Sequence, residues 1–227
     1  MSETTVLENS STAAVARAAG IILIAVTILE VLAMAHHPSV HAHDLASAID
    51  QLGRSAGLSA VVHGTLIALM LIGFCCLTEF SVLRGLHRPA VRAGLVAYAV
   101  GVVAMVGAAI VDGFVTGQLA ARLVGESASE LQVTRQILLL CETLNQALAQ
   151  LGTAATSVGI AAWSLSLLRS GAFARVLGIF GVLTGASAIA AILFGVMQLD
   201  VHRMMLVLAL EGVWMLGAGV LLVRRTS

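Results

Sequence analysis

Long runs of apolar residues alternate with short polar connections along this chain of 227 residues. Each of six runs supplies about the 20 residues that a helix needs to cross a hydrocarbon core of about 30 Å. Each run is predicted to be helical, because backbone polar groups in lipid must be paired within their own segment. The pattern predicts an all-α polytopic transmembrane helix bundle with six spans, at residues 18–35, 58–83, 93–115, 137–168, 176–197 and 204–223.

Polar segments precede and interrupt this pattern. Residues 1–14 are predicted to be a disordered polar N-terminus, so a single transmembrane domain covers residues 15–227 and includes a histidine-rich outer loop at 36–57. An alternative is that the first span is a cleaved signal peptide, because VLAMA before His36 resembles a small-x-small cleavage site. The acidic residues before this span and Glu30 within it favour an uncleaved helix.

The arginines predict the orientation of the bundle. Eight arginines lie at one end of the predicted spans and four lie at the other end. The end that is richer in arginine is expected to face the cytoplasm. Both termini are therefore predicted to be cytoplasmic, in a multi-pass protein of the cell (inner) membrane, with the histidine-rich loop outside. The eight inner residues are Arg17, Arg84, Arg88, Arg92, Arg169, Arg175, Arg224 and Arg225.

The composition supports a membrane protein and excludes several other classes. Hydrophobic residues make up 59% of the chain and charged residues 11%, whereas soluble domains carry roughly 25% charged residues. Twelve acidic residues balance twelve basic ones, and no basic patch with aromatic residues indicates a nucleic-acid partner. The three cysteines lack the spacing of a zinc or redox motif, and no sequence motif of a hydrolase, metalloprotease or nucleotide-binding protein is present.

Three of the predicted spans resemble a known family. The segments RAAGIILIA, FARVLGIFGVLTG and ALEGVWMLGAGVLLVRR belong to the first, fifth and sixth spans. They are similar to the corresponding helices of a family of uncharacterised six-helix bacterial integral membrane proteins, a domain of unknown function. The resemblance implies a six-helix architecture over nearly the whole chain, and it carries over no activity and no functional residue.

Ionisable side chains within the predicted spans are concentrated toward the outer end. Each of them costs about 2.5–3.5 kcal/mol on insertion scales and therefore needs a structural or functional reason. Glu30 and Glu211 lie about 20 Å from their nearest inner arginines, and His63, Asp112 and His202 lie about 30 Å from theirs. Glu30 and Glu211 are predicted to approach each other and to share one proton.

The outer group has the chemistry of a metal site. Imidazole binds zinc, copper and iron, and carboxylates complete such sites, so the sequence predicts a divalent metal ion without distinguishing these three. Residues fixed on helices are expected to bind tightly, whereas a loop loses ordering entropy and is expected only to collect ions. The predicted ligands are His63, Asp112, Glu142 and His202 in the spans and His36, His37, His41 and His43 in the loop.

One face of the fourth span is polar. Its residues recur at three- and four-residue spacing, which places them on one side of a helix. Such a stripe either forms hydrogen bonds between helices or lines a cavity. Its members include Asn145, Gln146, Gln150 and Thr153, followed by Thr156 and Ser157.

Four function classes follow from these features. The favoured one is a metal-binding membrane protein, which becomes a membrane-embedded metalloenzyme if an open coordination position activates water. The alternatives are a proton- or metal-coupled transporter of small solutes and a non-catalytic assembly or regulatory partner. A haem protein with His63 and His202 as axial ligands is the least favoured class, because only one such pair exists. Small residues at Ala97/Gly101 and Gly181/Gly185 suggest a homo-oligomer.

Overall fold

The protein is a bundle of long helices. The structure, a computed structural model, describes residues 3–38, 44–123, 128–195 and 201–224, and these residues form no β-strand. A π-helical segment, Val111–Thr116, joins two of the helices into one continuous rod. The helices are α1 (Glu3–Ala35), α2 (Leu45–Arg84), α3 (Pro89–Ile110), α4 (Gly117–Arg122), α5 (Ala128–Leu167), α6 (Ala172–Leu193) and α7 (Val201–Arg224).

Within the described ranges, five helical stretches are long and apolar enough to cross a membrane. They are Thr12–Ala35, Ala46–Arg84, Pro89–Arg122, Ala172–Leu193 and Arg203–Arg224. The predicted all-α membrane bundle is thereby confirmed. The fourth predicted span corresponds to α5, which has 40 residues but is not among the five. The amide and hydroxyl side chains of its polar stripe lower its hydropathy, so a sixth crossing stays a prediction, as does the orientation of the termini.

Two helices begin earlier than the sequence predicted. Helix α1 begins at Glu3 and so includes most of the predicted N-terminal tail. Helix α2 begins at Leu45, within the predicted outer loop, because Asp44 caps it. The Asp44 carboxylate accepts hydrogen bonds from the Ser47 hydroxyl at 2.6 Å and from the Ser47 backbone N–H at 2.8 Å. These two bonds lower the pKa of the Asp44 carboxyl group.

The two ends of the bundle differ in chemistry. At one end, which we call the arginine end, the Arg84 guanidinium donates to the Ser166 carbonyl oxygen and to the Ser170 hydroxyl. The Arg224 guanidinium lies 5.2 Å from the centre of the Phe173 ring, so the end of α7 meets the start of α6 here. The opposite end, where α1 ends and α2 begins, is called the histidine end.

Four aromatic rings fill the bundle toward the arginine end. Trp163 and Trp214 stack with their ring centres 5.9 Å apart, and Phe80 packs edge-on against both rings. Tyr98 lies 5.3 Å from Trp163, and all four side chains are buried. We call Phe80, Tyr98, Trp163 and Trp214 the aromatic cluster. Offset and edge-on ring pairs of this kind add about 0.5–1.5 kcal/mol beyond their burial.

Glycines allow the helices to approach closely within the chain. A Cβ atom at Gly101 would lie 2.9 Å from the Gly152 carbonyl oxygen, so α3 and α5 meet backbone to backbone. On α6, Gly185 faces the Ser157 carbonyl oxygen and Gly181 faces Trp214. These small-residue faces are therefore occupied by contacts inside one copy of the protein, and a homo-oligomer stays a prediction.

The buried hydrogen bond between Trp214 and Ser164 gives a test of the core. The Trp214 indole N–H donates to the Ser164 hydroxyl oxygen at 2.9 Å. We expect Ser164→Ala to lower the free energy of unfolding by about 1–3 kcal/mol, because the indole N–H loses its buried acceptor. Unfolding in mild detergent measures this loss. The matched control is Ser187→Ala on the exposed side of α6, and equal losses in the two variants would contradict the prediction.

Candidate metal centre

Three side chains from separate elements converge at the histidine end. His37 lies two residues after the end of α1, His63 lies in α2, and Asp112 lies in the π-helical segment. The His63 Nε2 atom is 3.2 Å from His37 Nε2 and 3.1 Å from Asp112 Oδ2. The His37 Nε2 atom is 3.4 Å from the same carboxylate oxygen. We call these residues the three-ligand group, because each presents one atom that could hold a metal ion.

Backbone hydrogen bonds define which ring nitrogens can bind an ion. The His63 Nδ1 atom lies 2.9 Å from the Ser59 carbonyl oxygen, and the His37 Nδ1 atom lies 2.9 Å from the Pro38 carbonyl oxygen. A carbonyl oxygen only accepts hydrogen bonds, so each Nδ1 must carry the proton. The Nε2 atom of each neutral ring is then a lone-pair acceptor, as a metal ligand requires.

The three converging atoms are all acceptors and need a cation between them. Two imidazole lone pairs and a carboxylate oxygen offer no hydrogen atom to one another when both rings are neutral. A proton on one of the rings or a metal ion supplies the missing positive charge. The arrangement is therefore compatible with a protonated imidazole or with a bound metal ion at the histidine end.

The spacing of these atoms fits a small transition-metal ion. Ligands at about 2.0–2.1 Å from a tetrahedral ion lie about 3.3 Å from one another. The separations in the three-ligand group are 3.1, 3.2 and 3.4 Å. Three ligand atoms at these separations match one face of such a tetrahedron. The fourth position has no ligand from this group. Two histidines and one carboxylate are a donor set for zinc or iron(II).

The centre is buried on its histidine side and open on its carboxylate side. The side chains of His63 and His37 are 7% and 11% exposed, whereas that of Asp112 is 36% exposed. A small molecule can therefore approach the group beside Asp112. Burial of the imidazoles holds them in place, which favours tight binding over loose collection.

The π-helical segment positions Asp112. Its wider turn is supported by the Thr116 hydroxyl, which donates to the Val111 carbonyl oxygen at 2.9 Å. Within this segment Gly113 faces His63, and a Cβ atom at Gly113 would lie 2.3 Å from the His63 Cβ. The missing side chain lets α2 approach closely enough for the carboxylate to reach the imidazole. Short π-helical turns occur frequently at functional sites.

The loop histidines divide into two groups. The sequence placed His37 with the ion-collecting loop, whereas the structure places it in the three-ligand group itself. The physical reason is that the chain turns at the end of α1 toward α2, where the His37 ring meets the His63 ring edge-on at 4.8 Å. His36 is exposed, and its Nδ1 atom donates to the Leu32 carbonyl oxygen at 2.8 Å. His41 and His43 lie outside the described residues.

Of the other predicted ligands in the spans, Glu142 does not enter the three-ligand group. Glu142 is exposed on α5, next to the buried Cys141, so the carboxylate lies on the outer side of the helix. His202 lies in α7, but its side chain is outside the described residues. Of the predicted intramembrane ligands, the three-ligand group contains His63 and Asp112, and it also contains His37.

The polar stripe of α5 faces the bundle interior. Thr153 is buried, and Asn145, Gln146 and Gln150 are half-buried. Its later members, Thr156 and Ser157, contact the Glu211 carboxylate. This part of the stripe therefore forms hydrogen bonds between helices, and it also borders the cavity described below.

Several contributors to the centre were missed at the level of sequence. No residue type in the sequence indicates that the Ser59 carbonyl oxygen contacts His63 or that a π-helical turn forms. Gly113 is one of 22 glycines, so nothing in the sequence distinguishes it from the others. One signal could have indicated His37. It follows Glu30 by seven residues in the sequence, a spacing that returns to the same side of a predicted helix.

The geometry at His63 also bears on haem. An axial ligand needs an Nε2 atom that faces the open disc of the macrocycle. The His63 Nε2 atom instead faces an imidazole and a carboxylate, both within 3.2 Å. A haem bound to His63 would require both neighbours to move away. Whether His63 and His202 bind haem stays a prediction, because the His202 side chain lies outside the described residues.

Comparisons with known proteins add no assignment. No family model, curated protein or solved structure significantly matches this chain. The resemblance to six-helix bacterial membrane proteins therefore stays a prediction.

Proposed function

We propose that this protein is a multi-pass membrane protein that binds one divalent transition-metal ion through His37, His63 and Asp112. The observation that carries the proposal is the convergence of two Nε2 lone pairs and a carboxylate oxygen within 3.4 Å. The arginine distribution supports a cytoplasmic arginine end in the inner membrane. The histidine end, with its ion, then faces outward.

The open side beside Asp112 suggests what the ion could do. An ion held by three protein ligands keeps a position for water or for a substrate atom. In that position it would act as a Lewis acid and lower the pKa of a bound water molecule. A membrane-embedded metalloenzyme that acts on a lipid or a small apolar molecule is the activity that this arrangement fits.

The packing of the bundle favours an ion that is held rather than conducted. The aromatic cluster fills the interior between the middle of the bundle and the arginine end, and its two tryptophan side chains are 0% exposed. An ion that continued from the histidine end would meet this apolar barrier. A transporter would need a second arrangement of the helices that separates these rings.

Elemental analysis of the protein purified without a histidine tag tests the proposal. We expect about one equivalent of zinc, iron or copper in the wild type, because imidazole and carboxylate ligands bind all three metals. His37→Ala should lose this metal, because it removes one of the ligand atoms. The matched control is the neighbouring His36→Ala, which should retain it because His36 lies outside the group.

Two results would contradict the proposal. One is a wild-type protein that stays free of metal after incubation with each of the three ions. The other is equal loss of metal in the His36 and His37 variants, which would show that the three-ligand group does not hold the ion. An absorption spectrum of the same sample distinguishes coloured copper or iron from zinc.

A further inference from the structure

A second polar centre lies in the middle of the bundle, where α1 packs against α7. Gly20 faces Gly219 and Thr27 faces Gly212, so the two helices run antiparallel in a defined register. This register places Glu30 and Glu211 within about one helical turn, or about 5 Å, of each other along the helix axes. At such a separation two ionised carboxylates repel each other, so a single negative charge on the pair is favoured.

The two carboxyl groups have different surroundings. Glu30 is 6% exposed and makes no hydrogen bond or ion pair with any residue that the structure describes. A buried carboxylate without hydrogen bonds has a large desolvation cost, which the neutral acid avoids. Glu211 instead has two hydroxyl partners, at 3.1 Å from Thr156 and 3.0 Å from Ser157. A single negative charge on the pair is therefore best placed on Glu211.

Thr156 can serve both protonation states of Glu211. Its hydroxyl oxygen lies 3.1 Å from the Thr153 carbonyl oxygen and 3.1 Å from Glu211 Oε1, but it has one hydrogen atom. When Glu211 is ionised, the hydroxyl donates to the carboxylate. When Glu211 is protonated, the hydroxyl turns to the Thr153 carbonyl and accepts the carboxyl O–H. Gain or loss of the proton then requires only a rotation of one hydroxyl group.

A cavity of about 170 Å³ adjoins Glu211 between α5, α6 and α7. The space can hold several water molecules, since each occupies about 30 Å³ in the liquid. Its polar lining comes from Glu211, Ser157, Thr184 and Ser187. Leu206 at its edge is 60% exposed, so the cavity reaches the outer surface of the bundle. That surface is the one that contacts lipid when the helices span a membrane.

We propose that Glu211 is an intramembrane proton-exchange site that opens toward the lipid between α6 and α7, with Glu30 as its protonated neighbour. The exchanged proton leaves the Glu211 Oε1 atom for water in the cavity and returns by the same route. Among the described residues, the titratable groups that face Glu211 from other helices are Glu30 of α1 and Tyr98 of α3. In the described residues, α5 and α6 present hydroxyl groups to the cavity and no charged side chain.

Labelling with dicyclohexylcarbodiimide tests this site, because this apolar reagent partitions into lipid and reacts with carboxylic acids. The carboxyl proton moves to a carbodiimide nitrogen while the oxygen bonds to the central carbon, and the adduct rearranges to a stable N-acylurea. We expect peptide mass spectrometry of the full-length protein in liposomes to find the adduct on Glu211. The rate should fall as the pH rises, because only the protonated acid reacts.

Variants separate the proposed site from unspecific labelling. Glu211→Gln should abolish the adduct, whereas Glu142→Gln on the exposed side of α5 should leave the rate unchanged. Ser157→Ala should move the pH of half-maximal labelling upward by about one unit, because the ionised form loses a donor. Ser157→Thr should restore the wild-type profile, since it keeps the hydroxyl group.

Three outcomes would overturn the proposal. The first is an adduct on Glu30 in place of Glu211. The second is the absence of any adduct at acidic pH on protein whose cooperative unfolding shows that it is folded. The third is a lower labelling rate when sodium chloride is added at constant pH. The last result would assign the pair to a metal cation. These outcomes are independent of the metal content at the histidine end, so failure here leaves the proposed function intact.

Discussion

Replacing His63 with alanine is expected to weaken metal binding strongly. Loss of a ligand's hydrogen-bond partner typically weakens binding by roughly 10- to 100-fold, and loss of the ligand itself should weaken it more. His63 contacts both other members of the three-ligand group, at 3.2 Å and 3.1 Å. Its removal leaves one imidazole and one half-exposed carboxylate, too few ligands to hold the ion. Competition with a chromophoric chelator in detergent measures the dissociation constant.

The matched control for this variant is His87→Ala. His87 is an exposed histidine between α2 and α3, at the arginine end, and its removal should leave the dissociation constant unchanged. Asp112→Asn should weaken binding as well, because the amide has nearly the same shape but no negative charge. Binding should also weaken as the pH falls, since protons compete for both Nε2 atoms. Wild-type affinity in the His63 variant would refute the metal centre.

Replacing Gly113 with alanine is expected to disrupt both the centre and the packing around it. The new Cβ atom would lie 2.3 Å from His63 Cβ and 2.8 Å from His63 Nδ1, so α2 and the π-helical segment must separate. Overpacking of this kind typically costs about 1–3 kcal/mol of stability. The separation also moves Asp112 away from His63, and we expect metal affinity to fall at least about tenfold.

A glycine on the facing helix provides the control for this prediction. A Cβ atom at Gly64 would lie 3.6 Å from the Phe114 ring, an ordinary contact distance. Gly64→Ala should therefore keep both the metal affinity and the unfolding midpoint close to wild type. Unfolding in detergent and the chelator competition measure the two effects on the same samples. If the two alanine variants behave alike, the close approach at Gly113 does not determine the site.

The metal centre and the carboxyl pair are linked through α1. Glu30 lies in this helix, and His37 lies two residues beyond its end. The two tests are separate, because elemental analysis reports the ion and carbodiimide labelling reports the acid.

Much of the architecture was predictable because the membrane limits what an apolar chain can do. Runs of about 20 apolar residues in lipid can only form helices, and each of the six predicted spans contains a helix. The fifth span was predicted to reach residue 197, but α6 ends at Leu193, and residues 196 and 197 lie outside the described residues. The polar outer end was predictable for a related reason. His63 and Asp112 are costly within a span, and counting helical residues from the flanking arginines gave them similar depths. Asp44 and Ser47 carry a capping signal that could have indicated the early start of α2.

The sequence alone determined the fold class, the apolar character of the helices and the depth of the ionisable groups, because these follow from composition and from rise per residue. Only the tertiary structure decided which groups meet. His37 and His63 are 26 residues apart, and His63 and Asp112 are 49 apart. Their meeting depends on how each helix is rotated about its axis. For α2 and the π-helical segment, that rotation depends on the close packing at Gly113 and on the π-helical turn that carries Asp112. Glu142 lies outside the group because the rotation of α5 places it on the exposed side of that helix.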